Sequence, residues 1–465
     1  MQSSLLPPHH QWFKAARYGL FLHWGPYSPL GRGEQVLFRD HLDPREYETA
    51  ACAWNPQGFD AREWAKLAVE SGFRYAVLTA RHHDGYCLWD SAQTDYSSAE
   101  QAPKRDFIAE YVEAFREAGL RVGIYYSILD WRIPAYWEGP KHDPAGWAKM
   151  RDYVHAQVEE LLSNYGKIDV MWFDGVWPRN AQAWDTPRLV TRMRELQPEI
   201  LINNRLDAID PEEGEQDWQK GAVENAGDSK EMGDFGTPEQ HIKAEKRPWE
   251  ACLVSGWRLW GYTGGEHWKG ADTLLDHLCE TTAKGGNLLL NVGPDGEGVI
   301  PAPFANAARE VGKWLETHGE AIFDTQLNPH RGRYAGTDIV EFVTRGFQTA
   351  RDNVLYCLFR FWDGSGEFRL AGIENRLLKA ELLTTGETLP FEQSDDEILG
   401  RPILVRGLPK TSPSRLFPVL KLTFEGEVRP MELFQQRLWC GDPRRMTAWA
   451  KLRGDGFAAF NSNHE

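Results

Sequence analysis

Over roughly the first three hundred residues, continuous apolar runs alternate with stretches in which apolar positions recur every three or four residues. The runs RYGLFLHWG (17–25), RYAVLTARHH (74–83), LRVGIYYSILDW (120–131), KIDVMWFDG (167–175), EILINNR (199–205), PWEACLV (248–254) and NLLLNVG (287–293) predict strands. Between them, DFIAEYVEAFREAG (106–119) sets Phe107, Ile108, Tyr111, Val112 and Phe115 at helical spacing behind Asp106 as N-cap. Residues 147–166 form a second helical pattern ending at Gly166, and further helices are predicted at 271–286 and 303–319. Residues 207–247 read as a long polar loop. Strands that are apolar on both faces and separated by helices belong to a parallel sheet buried on both sides. The expectation is an α/β (β/α)8-like, TIM-type barrel over residues 1–323.

After residue 323 the pattern changes to short strand-like runs, DIVEFVTRG (338–346), NVLYCLFRFW (353–362), EFRLAG (367–372) and VLKLTFEG (419–426), with turn residues between them. These predict a C-terminal all-β sandwich domain over residues 324–465, with a short tail carrying a helix candidate at 443–453.

Composition narrows the ligand. With 68 acidic against 52 basic residues the formal charge is −16, which repels phosphate backbones and anionic headgroups, so neither nucleic acid nor membrane is expected as a partner. The 20 Trp supply flat, partly polar rings that suit the apolar faces of a neutral sugar, although Trp also fills cores. The N-terminus has no basic stretch followed by an apolar core, so a cytoplasmic location is expected, or a secreted or periplasmic one if a signal has been removed. Six scattered Cys without a CxxC pair read as reduced thiols. A homo-oligomer is compatible with the sequence.

In a parallel barrel the C-terminal strand ends converge on one face. The polar residues there are His23, His82 and His83, Tyr125 and Ser127, Asp174, and Asn203, Asn204 and Arg205. Any one of them alone is ordinarily a cap or a turn; five strands ending this way suggest a site. Three His and an Asp could hold a divalent metal, but His23 lacks a second His two residues away, and a His-His pair on a strand would direct its rings to opposite faces. A nucleophilic Ser lacks the G-x-S-x-G elbow. Paired carboxylates acting on a glycosidic bond, with His and Arg gripping hydroxyls and aromatic rings as walls, also account for the Trp content. No metal and no cofactor are expected.

The blocks FLHWGPYS (21–28), LTARHHDGYCLWDS (78–91), GIYYSILDW (123–131), VMWFDG (170–175), GDFGTPEQ (233–240), PWEACLVSGWRLWGY (248–262) and KGGNLLLNVGPDGEG (284–298) together resemble the α-L-fucosidases of glycoside hydrolase family 29, in the family's order over residues 12–325. The resemblance implies retaining, exo-acting hydrolysis of terminal α-L-fucosides through a covalent fucosyl-enzyme, with a fucosylated oligosaccharide or glycoconjugate as substrate. It puts the nucleophile at Asp174 and the general acid/base at Glu239, with Glu250 the main rival for the second role. Residues matching the family's hydroxyl-binding set are His23, Glu34, His82, His83 and Tyr125. Phe21 and Trp172 match pocket walls, Trp260 matches an aromatic near the sugar's methyl group, and Arg205 is a candidate to stabilise the nucleophile's charge. In GRGEQVLF, Gln35 stands where the family has Trp, so that loop's aromatic contribution is lost or supplied by Phe38 or another residue. The alternatives are a fucose-binding protein with impaired turnover and a metal-dependent barrel hydrolase. The sequence specifies neither linkage preference nor the balance of transfer and hydrolysis.

Overall fold

The computed structural model describes residues 7, 10–207, 233–327, 346–397 and 400–431. The run at 338–345, the helix candidate at 443–453 and residues 208–232 of the polar loop lie outside these. The chain forms two compact units, residues 1–274 with 286–313 and residues 275–285 with 314–465. The division falls within the helices Ala271–Ala283 and Ala302–His318.

The first unit is built on seven parallel strands, β1 (Tyr18–Leu22), β2 (Tyr75–Arg81), β3 (Arg121–Ser127), β4 (Val170–Asp174), β5 (Leu201–Ile202), β6 (Glu250–Val254) and β7 (Asn287–Val292), in the order β5-β4-β3-β2-β1-β7-β6. Apart from Arg121, every residue of these strands is buried, which is why each reads as an unbroken apolar run. Asp106 caps the helix Phe107–Glu117 by accepting from Ala109 N at 2.8 Å. The helix Pro144–Asn164 starts earlier than its apolar pattern, because Asp143 accepts from Gly146 N and Pro144 suits the first turn.

Between β5 and β6 the ring is completed by residues 234–240, a part of the expected polar loop. Asp234 N donates to Ile202 O at 2.7 Å, Gly236 N to Pro248 O at 2.9 Å and Cys252 N to Pro238 O at 3.0 Å, with parallel bridges Asn203–Phe235, Gly236–Trp249 and Glu239–Cys252. This segment is the eighth stave. Pro238 cannot donate to a ladder and no apolar alternation marks the stretch, so its residue types carry no strand signal.

Phe21, Tyr75, Val77, Tyr125, Val170, Trp172, Leu201, Phe235, Cys252 and Leu289 fill the interior with Phe13 and Ala16 from the helix Gln11–Ala16. Phe13 packs on Tyr75 at the start of β2, and its carbonyl accepts from Asn287 at the start of β7. That helix therefore covers the N-terminal strand ends.

In the second unit, β8 (Gln326–Leu327), β9 (Gly346–Arg351), β10 (Val354–Phe359), β12 (Leu377–Leu382), β13 (Glu387–Leu389) and β16 (Val419–Phe424) form an antiparallel sheet ordered β13-β12-β16-β10-β9-β8. A second sheet pairs β11 (Glu367–Leu370), β15 (Ile403–Arg406) and β14 (Phe391–Gln393). Leu355, Cys357, Leu382, Leu420 and Leu422 of the first sheet share one core with Phe368, Ile403 and Val405 of the second. This is the sandwich arrangement.

Candidate active site

Asp174 is the last residue of β4 and lies opposite Ser127 of β3. Its Oδ2 accepts from Tyr125 Oη at 2.8 Å and its Oδ1 from Arg205 Nη1 at 3.2 Å, while His83 Nε2 stands 3.9 Å from Oδ2. The chain turns immediately afterwards at Gly175, with φ 73°, where an added Cβ would meet Leu129 at 2.9 Å. The glycine thus lets the chain leave the strand without displacing the carboxylate.

Arg205 joins this carboxylate to a second one. Its Nη2 donates to Glu239 Oε2 at 2.8 Å, Nε donates to Thr237 Oγ1 at 2.9 Å, and its guanidinium carbon lies 4.6 Å from the Trp172 ring centroid. Burial opposes its charge, but Glu239 and Asp174 outweigh that and hold its pKa above the ordinary value. The two acids differ in exposure: the Asp174 side chain is 12% exposed and that of Glu239 33%. Asp174 is the inner carboxylate and Glu239 the one solvent reaches.

Three histidines line the same face. Asn291 Nδ2 donates to Trp260 O at 2.7 Å, which fixes its amide so that Oδ1 accepts from His23 Nδ1–H at 2.7 Å. Ser127 donates its single hydroxyl proton to Leu129 O at 3.1 Å, so its oxygen accepts from His83 Nδ1–H at 2.8 Å. Both rings therefore keep Nε2 as a free acceptor. Burial pushes His23 down to about 3 against the opposing Asn291 hydrogen bond, and burial with the nearby Arg81 charge pushes His83 to about 3. Burial, with His83 and His23 alongside, holds His82 well below its usual value. Neutral imidazoles with bare nitrogens are suited to accept from hydroxyl groups.

The expectation that a His-His pair would point its rings apart does not hold: the His82 and His83 centroids are 4.1 Å apart, and His82 stacks on Tyr125 at 5.5 Å and 6°. Both residues lie beyond the end of β2, after a register shift between Thr79 and Arg81, where strand alternation no longer applies.

Phe21 lies 5.1 Å from Trp172, 5.9 Å from Trp260 and 4.4 Å from His23, forming an aromatic wall. Glu34, buried, accepts through Oε2 from Trp260 N at 3.0 Å and Gly261 N at 2.8 Å, so it pins the loop that carries Trp260; burial raises its pKa. Glu250 is engaged beneath the wall. Tyr75 Oη donates to it at 2.5 Å and Trp172 Nε1 at 2.9 Å, and burial pushes it up to about 7.

Asn203 accepts from Phe173 N at 2.8 Å and donates to Phe173 O at 2.9 Å, so it serves as a ladder partner for β4. Asn204 accepts from Thr237 at 3.0 Å. Gln35 accepts from Arg39 Nε at 3.0 Å, and Phe38 lies exposed against Trp131 and Trp137. Sequence reasoning missed Asn291 and Thr237. Asn291 was visible as a polar residue in the apolar run NLLLNV, whereas nothing local marked Thr237.

The family model described as "Alpha-L-fucosidase" matches residues 2–320. The plasma alpha-L-fucosidase of Homo sapiens is 28% identical over 407 residues, covering 82% of this chain and 82% of that protein. The structure of alpha-L-fucosidase isoenzyme 1 from Paenibacillus thiaminolyticus is 33% identical, with TM-score 0.75 over 90% of this chain and 99% of that one. A GH29 alpha-L-fucosidase from Bacteroides thetaiotaomicron, solved as a trapped covalent intermediate with 2-fluoro-fucosyl fluoride, is 27% identical, with TM-score 0.77 over 91% of this chain and 98% of that one.

Proposed function

The chain belongs to the alpha-L-fucosidase family, and on that premise we propose that it is a retaining, exo-acting α-L-fucosidase that removes terminal fucose from oligosaccharides or glycoconjugates through a covalent fucosyl-enzyme. Asp174 is the nucleophile: its carboxylate attacks the anomeric carbon while Tyr125 and Arg205, which donate to its two oxygens, orient it. Glu239 protonates the departing oxygen and then takes a proton from the water that releases fucose, a role suited to the more exposed of the two acids. The bare Nε2 atoms of His23 and His83 accept from the sugar's hydroxyls, as do His82 and Glu34. Phe21, Trp172 and Trp260 form an apolar wall for the methyl group, against which a 6-hydroxyl would find no partner.

The observation that carries this reading is the bridge of Arg205 between Asp174 and Glu239. One guanidinium gathers both acids into a single site, as two carboxylates acting on one glycosidic bond require; retention then calls for a separation of ~5–5.5 Å. The covalent intermediate trapped in the Bacteroides thetaiotaomicron relative supports the same chemistry.

The test is incubation of the purified protein with 2-fluoro-fucosyl fluoride, followed by peptide mapping, alongside turnover of an aryl α-L-fucoside. The expected result is fucose release and a single label on Asp174. No fucose from aryl or oligosaccharide substrates, or a label on another residue, sinks the assignment.

A further inference from the structure

We propose that the aromatic cluster of exposed Phe38 and Trp137 with partly buried Trp131 is a leaving-group subsite, on which the neutral pyranose ring that carries the fucose is stacked. It rests on the fucosidase reading and extends it beyond the fucose pocket.

Phe38 and Trp137 are each 52% exposed, although large aromatic side chains ordinarily gain most by burial. The Phe38 ring lies 5.4 Å from Trp131 at 27° and 6.2 Å from Trp137 at 17°, stacked with each of them. The two Trp are tied to the surrounding chain before any ligand arrives. Trp137 Nε1 donates to Trp131 O at 2.9 Å, and Tyr136, edge-on to Trp137 at 5.1 Å, donates to Trp177 O at 3.1 Å. A rigid aromatic face of this kind binds with little loss of conformational entropy.

The cluster is continuous with the catalytic residues. Trp131 N donates to His83 O at 3.0 Å, the two rings meet edge-on at 5.3 Å, and His83 Nε2 is 3.9 Å from Asp174. The platform thus begins one ring away from the side chain facing the nucleophile, within reach of a sugar joined to the anomeric carbon. Its rim is polar: Gln35 and Arg39 pair beside Phe38 and are exposed enough to meet hydroxyl groups. The net charge of −16 disfavours an anionic occupant. A pyranose fits, because its axial C–H face is apolar and its edge is hydroxylated.

The experiment measures kcat/KM for α-L-fucosyl fluoride, 4-nitrophenyl α-L-fucoside and 2′- and 3-fucosyllactose in the wild type, Phe38→Ala and Trp137→Ala, with lactose binding measured by calorimetry. Loss of one stacked ring should lower the ratio of fucosyllactose to fluoride kcat/KM about five- to tenfold in each variant and weaken lactose binding by a similar factor. If the fluoride is hydrolysed but the ratio holds within twofold, or neither fucosyllactose is cleaved, the subsite proposal is overturned and the fucosidase reading stands. A loss confined to the nitrophenyl substrate identifies an apolar aglycone instead and overturns the sugar assignment. If no fucoside is hydrolysed, the fucosidase reading fails, and lactose binding decides: absent or unweakened binding overturns the subsite as well.

Discussion

Nη1 of Arg205 lies 3.2 Å from Oδ1 of Asp174, and its neighbouring Nη2 holds Glu239 at 2.8 Å. Arg205→Lys keeps a positive charge but cannot span both acids with a planar fork. We expect kcat to fall by about 10²–10³-fold, comparable to removal of one preorganised donor, with the fold retained in circular dichroism. A loss under threefold would show that the bridge does not organise the pair.

Asp174→Gly should lose nearly all hydrolysis of an aryl fucoside, and added azide should restore part of the rate by attacking from the vacated side. The rescued product should be the β-fucosyl azide, identified by NMR. Near-normal hydrolysis without azide would remove Asp174 from the nucleophile's role.

For Glu239→Ala the first step should suffer less with an activated aryl leaving group, which needs little protonation, than with a natural glycoside. The comparison is pre-steady-state release of nitrophenol against release of an unactivated sugar. Equal losses with an unaltered pH profile would transfer the acid/base role to another carboxylate.

Burial pushes His23 and His83 from 6.5 to about 3. Because the folded values lie below the unfolded one, the stability linked to the neutral rings is full above about pH 6.5 and is lost as pH falls toward 3, about 2–3 kcal/mol per imidazole by pH 4.5. Glu250 runs the other way: raised from 4.5 to about 7, its contribution is full below pH 4.5 and is lost as pH rises through 7. Glu250→Gln should remove that second trend, so its stability relative to the wild type rises by roughly 3 kcal/mol between pH 4.5 and 7. Urea unfolding across this range checks it; a constant difference would mean that Glu250 does not titrate there.

The cation between the carboxylates is a guanidinium fixed by Thr237 and by the Trp172 face, so the site carries its own positive charge. Exhaustive chelation should leave kcat/KM within twofold of its starting value. A loss restored by a divalent ion would favour the metal-dependent alternative.

Much of the barrel was legible in the sequence. Burial on both faces makes runs such as YAVLTAR and VMWFD continuously apolar, and caps such as Asp106 mark where helices begin. The candidates at the strand ends, His23, His82, His83, Tyr125, Asp174 and Arg205, could be found by position alone. Residues 234–240 were not legible as a stave, because their pairing comes from backbone groups such as Gly236 N and Pro238 O and not from side-chain pattern. Nor were the ring tautomers: Asn291 fixes that of His23 across a separation of 268 residues.

The sequence by itself determined seven of the strands and the polar residues at their ends, since burial and periodicity act over a few neighbours and leave a local record, and its motif blocks carried the likeness to the fucosidases. Tertiary structure alone decided that Glu239 meets Arg205, that Glu250 is tied up beneath Trp172, and that Phe38 joins Trp131 and Trp137 instead of the pocket wall. Those relationships arise only when distant segments come together in space, and the ring itself is closed through backbone hydrogen bonds of residues 234–240, which carry no strand pattern of their own.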